Sequence, residues 1–247
     1  MPELYELDWV RLPLEEAHNV RELGGYPVAG GGQTRYHRFL RSDALGSLTS
    51  SDVTFLHNYG VRLVLDLRDS DEAQNYPDVS LGDDVQIENV PMFDFDIANK
   101  KALAERFADT PPTYEFFYDI ILSKKEQIAR CFYLIAEAPE DACVLFHCAV
   151  GKDRTGVLAM LLMALAGCDK WDCVSNYVQT RVNLMRHTWY AAYWESDDER
   201  SSMNDSPAHA LEFSWNVVEE AGGVMAFLHG CGIDYETLAA VRARLIG

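Results

Sequence analysis

The sequence predicts an α/β fold with a mostly parallel central sheet flanked by helices, and three observations support this. Apolar, β-branched runs at Val61 to Leu67, Val85 to Val90 and Cys143 to Phe146 alternate with segments of helical spacing. The first and last of these runs are apolar nearly throughout, as strands covered on both faces must be. The last run passes through a tight, glycine-containing turn into a long apolar helix, Val157 to Ala166. Sheets of this class bind ligands at the carboxyl ends of their strands.

The elements follow in order. The Gly24-Gly25 pair and the Gly30-Gly31-Gly32 run flank Tyr26-Pro27-Val28 and mark an N-terminal β-hairpin region, with Arg38 to Arg41 a further strand. Thr49-Ser50-Ser51-Asp52 caps a helix that runs to Asn58-Tyr59-Gly60. After the Val61 strand and the Val85 strand comes the loop Pro91 to Asp96, then helical spacing over Lys100 to Ala108 and Tyr114 to Ala136. The strand at Cys143 and the helix after it end at Gly167, a helix stop. Asp172 to Met185 reads as another amphipathic helix, and the acidic, serine-rich Glu195 to Pro207 as a connector. No repeat or break in composition divides the chain, so residues 1–247 are read as a single domain.

Composition excludes several classes of function. A formal charge of -18 with no basic stripe argues against nucleic acid and against stable membrane association. The N-terminal MPELYELDWVRLPLEEA has neither a basic segment nor an apolar core, so no signal peptide is expected, and a cytoplasmic location is the default, export without a signal peptide remaining open. Six cysteines with no C-x-x-C pair suggest neither a disulfide framework nor zinc, and no metal or other cofactor is expected. Cys143 precedes Cys148 by five residues, an odd spacing that turns the two side chains to opposite faces of a strand and disfavours a redox pair.

The chemistry lies in His147 to Gly156, HCAVGKDRTG. A strand, a tight loop and a helix start converge backbone N–H groups on an anion, and the helix dipole adds to the attraction. A cysteine at the head of such a loop is held as thiolate and becomes a nucleophile. Six residues on, Arg154 presents a planar fork suited to two phosphoryl oxygens. Ala149, Val150, Gly151, Lys152, Asp153, Arg154 and Thr155 are therefore the expected phosphate-binding residues, with Cys148, Arg154 and Asp153 the expected catalytic ones. The thiolate needs no general base, so His147 is read as a brace for the backbone.

At these residues the chain resembles the cysteine-dependent protein tyrosine phosphatase superfamily, whose signature is HCxxGxxR[ST], and more narrowly its bacterial branch with HCxxGKDRTG. Asn19 to Gly25, Arg41-Ser42-Asp43, Asp66-Leu67-Arg68 and the C-terminal GGVMAFLHGCGIDYETLAAVRARLIG are also similar to elements of that branch, the last to a closing helix pair. The resemblance implies a phosphomonoester hydrolase. It would act on phosphotyrosine, with phosphoserine and phosphothreonine further targets, through a cysteinyl-phosphate, and release inorganic phosphate. A phosphoinositide or other small phosphoester is the alternative substrate, favoured by the charge of Lys152. Thr155 is expected to donate its hydroxyl to the sulfur.

The leaving oxygen needs a proton, and three aspartates compete to supply it. Asp153 lies in the loop, where the resembling branch uses a Lys-Asp pair. Asp94 follows a strand, and Asp66 ends one in LDLRD. Arg21 and Arg41, with Arg68, are candidates for a positive pocket within the acidic body.

Overall fold

A computed structural model describes residues 3–93, 117, 119–185 and 208–246. Five strands form one sheet in the order β1-β2-β5-β3-β4: β1 (Arg21–Glu22), β2 (Phe39–Ser42), β3 (Val61–Asp66), β4 (Gln86–Asn89) and β5 (Cys143–His147). The β1–β2 pair is antiparallel, and β2–β5, β5–β3 and β3–β4 are parallel, so the sheet is mostly parallel as expected. An isolated bridge from Pro27 to Gln33 closes the small hairpin that the glycines announce.

Side-chain alternation on β5 builds two cores. Val144 and Phe146 face one, with Phe39, Leu63 and Leu65; Cys143 and Leu145 face the other, with Leu40, Val64 and Leu56. Every β5 residue is buried, which explains its unbroken apolar run. Cys148 belongs to the first core and Cys143 to the second, so the sheet separates them. All six cysteines are buried and free.

The second core is covered by α1 (Ser50–Asn58), whose N-cap Thr49 and N3 Asp52 form the reciprocal capping box anticipated from their spacing. The first core is covered by α3 (Lys125–Glu137), α4 (Asp153–Ala166), α5 (Lys170–Leu184), α6 (Ala208–Glu220), α7 (Val224–Gly230) and α8 (Tyr235–Leu245). Helix α4 is apolar on nearly all sides because other helices and the sheet enclose it. It stops at Gly167, whose φ of 98° is the left-handed cap expected there. The closing pair α7 and α8 is present as expected, and Arg244 of α8 ties it to the connection beyond α3 by donating to the carbonyls of Ala138, Pro139, Glu140 and Ala142.

One expectation changes, and two helices are found to which no expectation was attached. The run Tyr114 to Ala136 is not one helix in its described part: a π-helical turn at Asp119–Ser123 is followed by α3, with Lys124 between them. A short helix, α2 (Ser70–Asn75), follows β3, where the sequence offers too few apolar residues to announce it. The other is α6 (Ala208–Glu220). Lys100 to Ala108 and Glu195 to Pro207 lie outside the described residues. No helix among the described residues is long and apolar enough to cross a membrane.

One carboxylate in the hairpin has a consequence for stability. Glu22 is 2% exposed and accepts from the Tyr59 hydroxyl (2.7 Å) and the His37 and Gly24 N–H groups (2.7 and 3.0 Å). Burial outweighs these donors and pushes its pKa up from 4.5 to about 7. Between these two values the folded state keeps a proton that the unfolded chain has released, so stability falls as pH rises through that window. The full effect is on the order of 3 kcal/mol at 1.36 kcal/mol per pKa unit. The melting temperature of the native chain should therefore drop from pH 5 to pH 8 by roughly 5 °C more than that of Glu22→Gln, compared by differential scanning calorimetry. Equal pH slopes would show that Glu22 does not titrate in this window.

Candidate active site

The loop from Cys148 to Lys152 joins β5 to α4, and its shape follows from where its carbonyls are held. The His147 carbonyl accepts from Leu67 N–H (2.8 Å), and the Cys148 carbonyl lies 3.2 Å from His147 Nδ1. The Ala149 carbonyl accepts from Ala44 N–H at 3.1 Å. Asn19 Nδ2 donates to the carbonyls of Val150 (2.8 Å) and Gly151 (3.1 Å). Arg41 Nη2 donates to those of Gly151 (2.8 Å) and Lys152 (3.2 Å). Every carbonyl from His147 to Lys152 is thus engaged on the protein side.

The N–H groups are left in the opposite situation. Those of Ala149, Val150 and Gly151 have no acceptor among the described residues. The first N–H groups of α4 are the orphans of any helix start, and no side chain caps them. Donors without acceptors, at the N-terminus of a 14-residue helix, have the geometry that an anion cradle requires.

Cys148 heads the cradle and is 1% exposed. Arg154, in the first turn of α4, ion-pairs with Glu72 of α2 through Nη1 at 2.5 Å and Nη2 at 3.4 Å. Burial disfavours its charge, but Cys148, Glu72 and Asp153 outweigh that and raise its pKa above the ordinary guanidinium value. Lys152 is buried with Nζ 3.6 Å from Asp153 Oδ2, and the Tyr177 hydroxyl donates to Asp153 Oδ1 at 3.1 Å. Asp153 keeps 24% of its side chain exposed, enough to meet a bound molecule. A cavity of about 560 Å³ opens beside the loop, lined by Ala149, His18, Asp43, Arg68, Glu72 and Tyr76 among others.

Several expected site residues fall elsewhere. Arg41 is 1% exposed and also donates to Asn176 Oδ1 at 2.7 Å, so it holds the loop from behind instead of lining a pocket. Burial lowers its pKa to about 10, against the pull of Cys148 and other groups. Arg21 is turned inward as well, donating to the Asn176 carbonyl, Thr180 Oγ1 and Asn19. Asp66 has both oxygens bound by Arg68 at 2.8 Å, a buried ion pair and not a presented acid. Arg68 also donates to Asp78, whose other oxygen lies 2.9 Å from His147 Nε2. Asp66, Asp78 and His147 have the mutual spacing of cation ligands, but the Arg68 guanidinium already supplies the countercharge to both carboxylates. Thr155 Oγ1 is fully buried with no hydrogen-bond partner among the described residues, so the expected bond to the sulfur is not made. Asp94 lies outside the described residues.

Four residues escape the sequence reading: Asn19 as a loop anchor, Glu72, Asn176 and Tyr177. For Glu72 a signal exists, because Asp69 and Glu72 form a reciprocal capping box at the start of α2. Asn176 and Tyr177 have none, since only tertiary packing brings α5 against the loop. Gly151 has φ +66°, and a Cβ there would lie 2.4 Å from the Ser42 carbonyl oxygen. Gly151→Ala is therefore expected to displace the loop, at a cost of about 1–3 kcal/mol in unfolding free energy. Binding of orthovanadate, followed by calorimetry, should weaken by an order of magnitude or more. Native vanadate affinity in this variant would contradict the role of the turn.

The profile of the Tyrosine phosphatase family matches residues 12–247. A tyrosine-protein phosphatase of Nostoc commune is 36% identical over 140 residues, which are 56% of this chain and 47% of that protein. A relative from Cupriavidus necator is 28% identical over 174 residues, 68% of this chain and 62% of the relative. The chain thus spans about half to three fifths of the length of these curated relatives. Among solved structures, P. aeruginosa TpbA gives a TM-score of 0.40 at 15% identity, covering 79% of this chain and 87% of that one. A likeness this loose carries no argument about the site. The match over nearly the whole chain does carry one: the chain belongs to the tyrosine phosphatase family.

Proposed function

We propose that this protein is a cysteine-dependent phosphatase of the HCxxGKDRTG branch that hydrolyses phosphotyrosine. One observation carries the reading: every carbonyl from His147 to Lys152 is tied down, so the loop's N–H groups are left for one tetrahedral dianion beside Cys148 and the guanidinium of Arg154, which Glu72 holds through Nη1 and Nη2. Phosphoryl transfer through a loose transition state asks for this kind of positioning and charge stabilisation.

In the first step the Cys148 thiolate attacks phosphorus, the S–P bond forms and the P–O bond to the phenol breaks. Asp153 gives its proton to the departing oxygen. Arg154 and the N–H groups from Ala149 to Arg154 hold the three equatorial oxygens. In the second step Asp153 takes a proton from water, which attacks the cysteinyl-phosphate, and inorganic phosphate leaves with the thiolate restored. A nucleophilic thiol of this kind persists in a reducing compartment, which supports the cytoplasm as its place of work.

Lys152 favours a second reading, a phosphoinositide phosphatase, because it adds a charge to the loop. Its ammonium, however, is buried against Asp153, which leaves less of that charge for a second phosphate. The formal charge of -18 also opposes an anionic lipid surface.

Phosphate release from a phosphotyrosine peptide should vanish in Cys148→Ser while orthovanadate still binds. Turnover that survives this change would overturn the cysteine mechanism, and faster release from phosphoinositide vesicles would put the second reading first. Arg154→Lys keeps the charge but loses the planar fork, and kcat/KM should fall about 100-fold or more.

A further inference from the structure

We propose that Tyr177 is a positioning residue for proton transfer, holding the Asp153 carboxyl so that its second oxygen meets the leaving group. This rests on the reading of Asp153 as the acid. The Tyr177 side chain is fully buried on α5, and its hydroxyl reaches Asp153 Oδ1 at 3.1 Å.

Three contacts set where that hydroxyl can be. The ring lies on Gly156 in the first turn and a half of α4, so closely that a Cβ at Gly156 would meet ring carbons at 2.9 and 3.1 Å. Phe117 meets the ring edge-on at a centroid distance of 5.8 Å. The preceding residue, Asn176, is fastened twice: its side chain accepts from Arg41, and its carbonyl accepts from Arg21. Arg41 is the residue that holds the loop carbonyls. One guanidinium therefore fixes both the loop that leads into Asp153 and the helix step that carries Tyr177.

The consequence is directional. Asp153 is a short, partly exposed side chain in a helical first turn, and besides the phenol only the Lys152 ammonium, 3.6 Å from Oδ2, is placed against its carboxyl among the described residues. With Oδ1 taken by the hydrogen bond from the phenol and Oδ2 met only by the longer 3.6 Å contact to the Lys152 ammonium, Oδ2 is the oxygen that hands its proton to the leaving oxygen as the P–O bond breaks and the S–P bond forms. The same oxygen then receives the proton of the attacking water. Gly156 has its own part in this arrangement, since any side chain there would push the ring away.

The test compares leaving groups. For Tyr177→Phe, kcat/KM on phenyl phosphate, whose phenolate needs a proton, should fall about 10-fold, and on 4-nitrophenyl phosphate, which needs little help, by less than about 3-fold. In an Asp153→Asn background the same change should have no further effect, because the acid it serves is gone. If Asp153→Asn leaves the leaving-group dependence at the native level, the acid lies elsewhere and the reading beneath this proposal fails. If Asp153→Asn steepens that dependence and Tyr177→Phe does not, Asp153 stands and Tyr177 is overturned as its positioner. An equal loss on both substrates with a lowered melting temperature would mark Tyr177 as merely structural. Should Tyr177→Phe not fold, fluorotyrosine at position 177 keeps the ring and hydroxyl while altering donor strength, and an unchanged leaving-group dependence in that protein would overturn the proposal.

Discussion

The site depends on one constraint: the loop after β5 must point its carbonyls into the protein. A peptide's N–H and C=O lie on opposite sides, so fixing one aims the other. Asn19 and Arg41 do most of this work, and both come from the N-terminal part of the chain. Arg41 sits in β2, the strand hydrogen-bonded to β5, which places its guanidinium behind the loop. A buried arginine is costly unless its donors are satisfied. Here Nη1 and Nη2 have oxygen acceptors, while Nε is left without one.

A second buried network supports the strand ends. Asp66 at the end of β3, Arg68 just beyond it, Asp78 and His147 at the end of β5 form a chain of charged and polar contacts with almost no exposure. Burial works against the Asp78 carboxylate, but His147 and Arg68 together hold its pKa below the ordinary value. Such networks are strongly destabilised by loss of one partner, even where an apolar replacement of the whole would be tolerated. The network locks β3 and β5 in register at the edge where the loop begins.

The electrostatics reconcile an acidic protein with the anionic ligand proposed for it. The formal charge of -18 belongs to the chain as a whole, while the field at the loop is set by groups within a few ångströms, where desolvation strengthens each interaction. Glu72 belongs to this local balance. It holds the Arg154 fork at the mouth of the loop and at the same time caps α2, so the geometry of the arginine is tied to a helix end.

The sequence by itself determined the fold class, most strand and helix positions, the cysteine, the arginine and the turn glycine. These are local: β-branched runs make strands, Thr49 and Asp52 make a cap, and Gly151 and Gly167 adopt positive φ where other residues would be strained. Tertiary structure alone decided the parts played by Arg21, Arg41, Asp66, Asn19, Glu72 and Tyr177. An arginine near a phosphate site reads the same in sequence whether it faces the ligand or the carbonyls behind it. Which face it takes is settled by partners far along the chain, as with Arg41 and Asn176, 135 positions apart. Long-range packing sets that choice, because a buried guanidinium goes where its donors find acceptors.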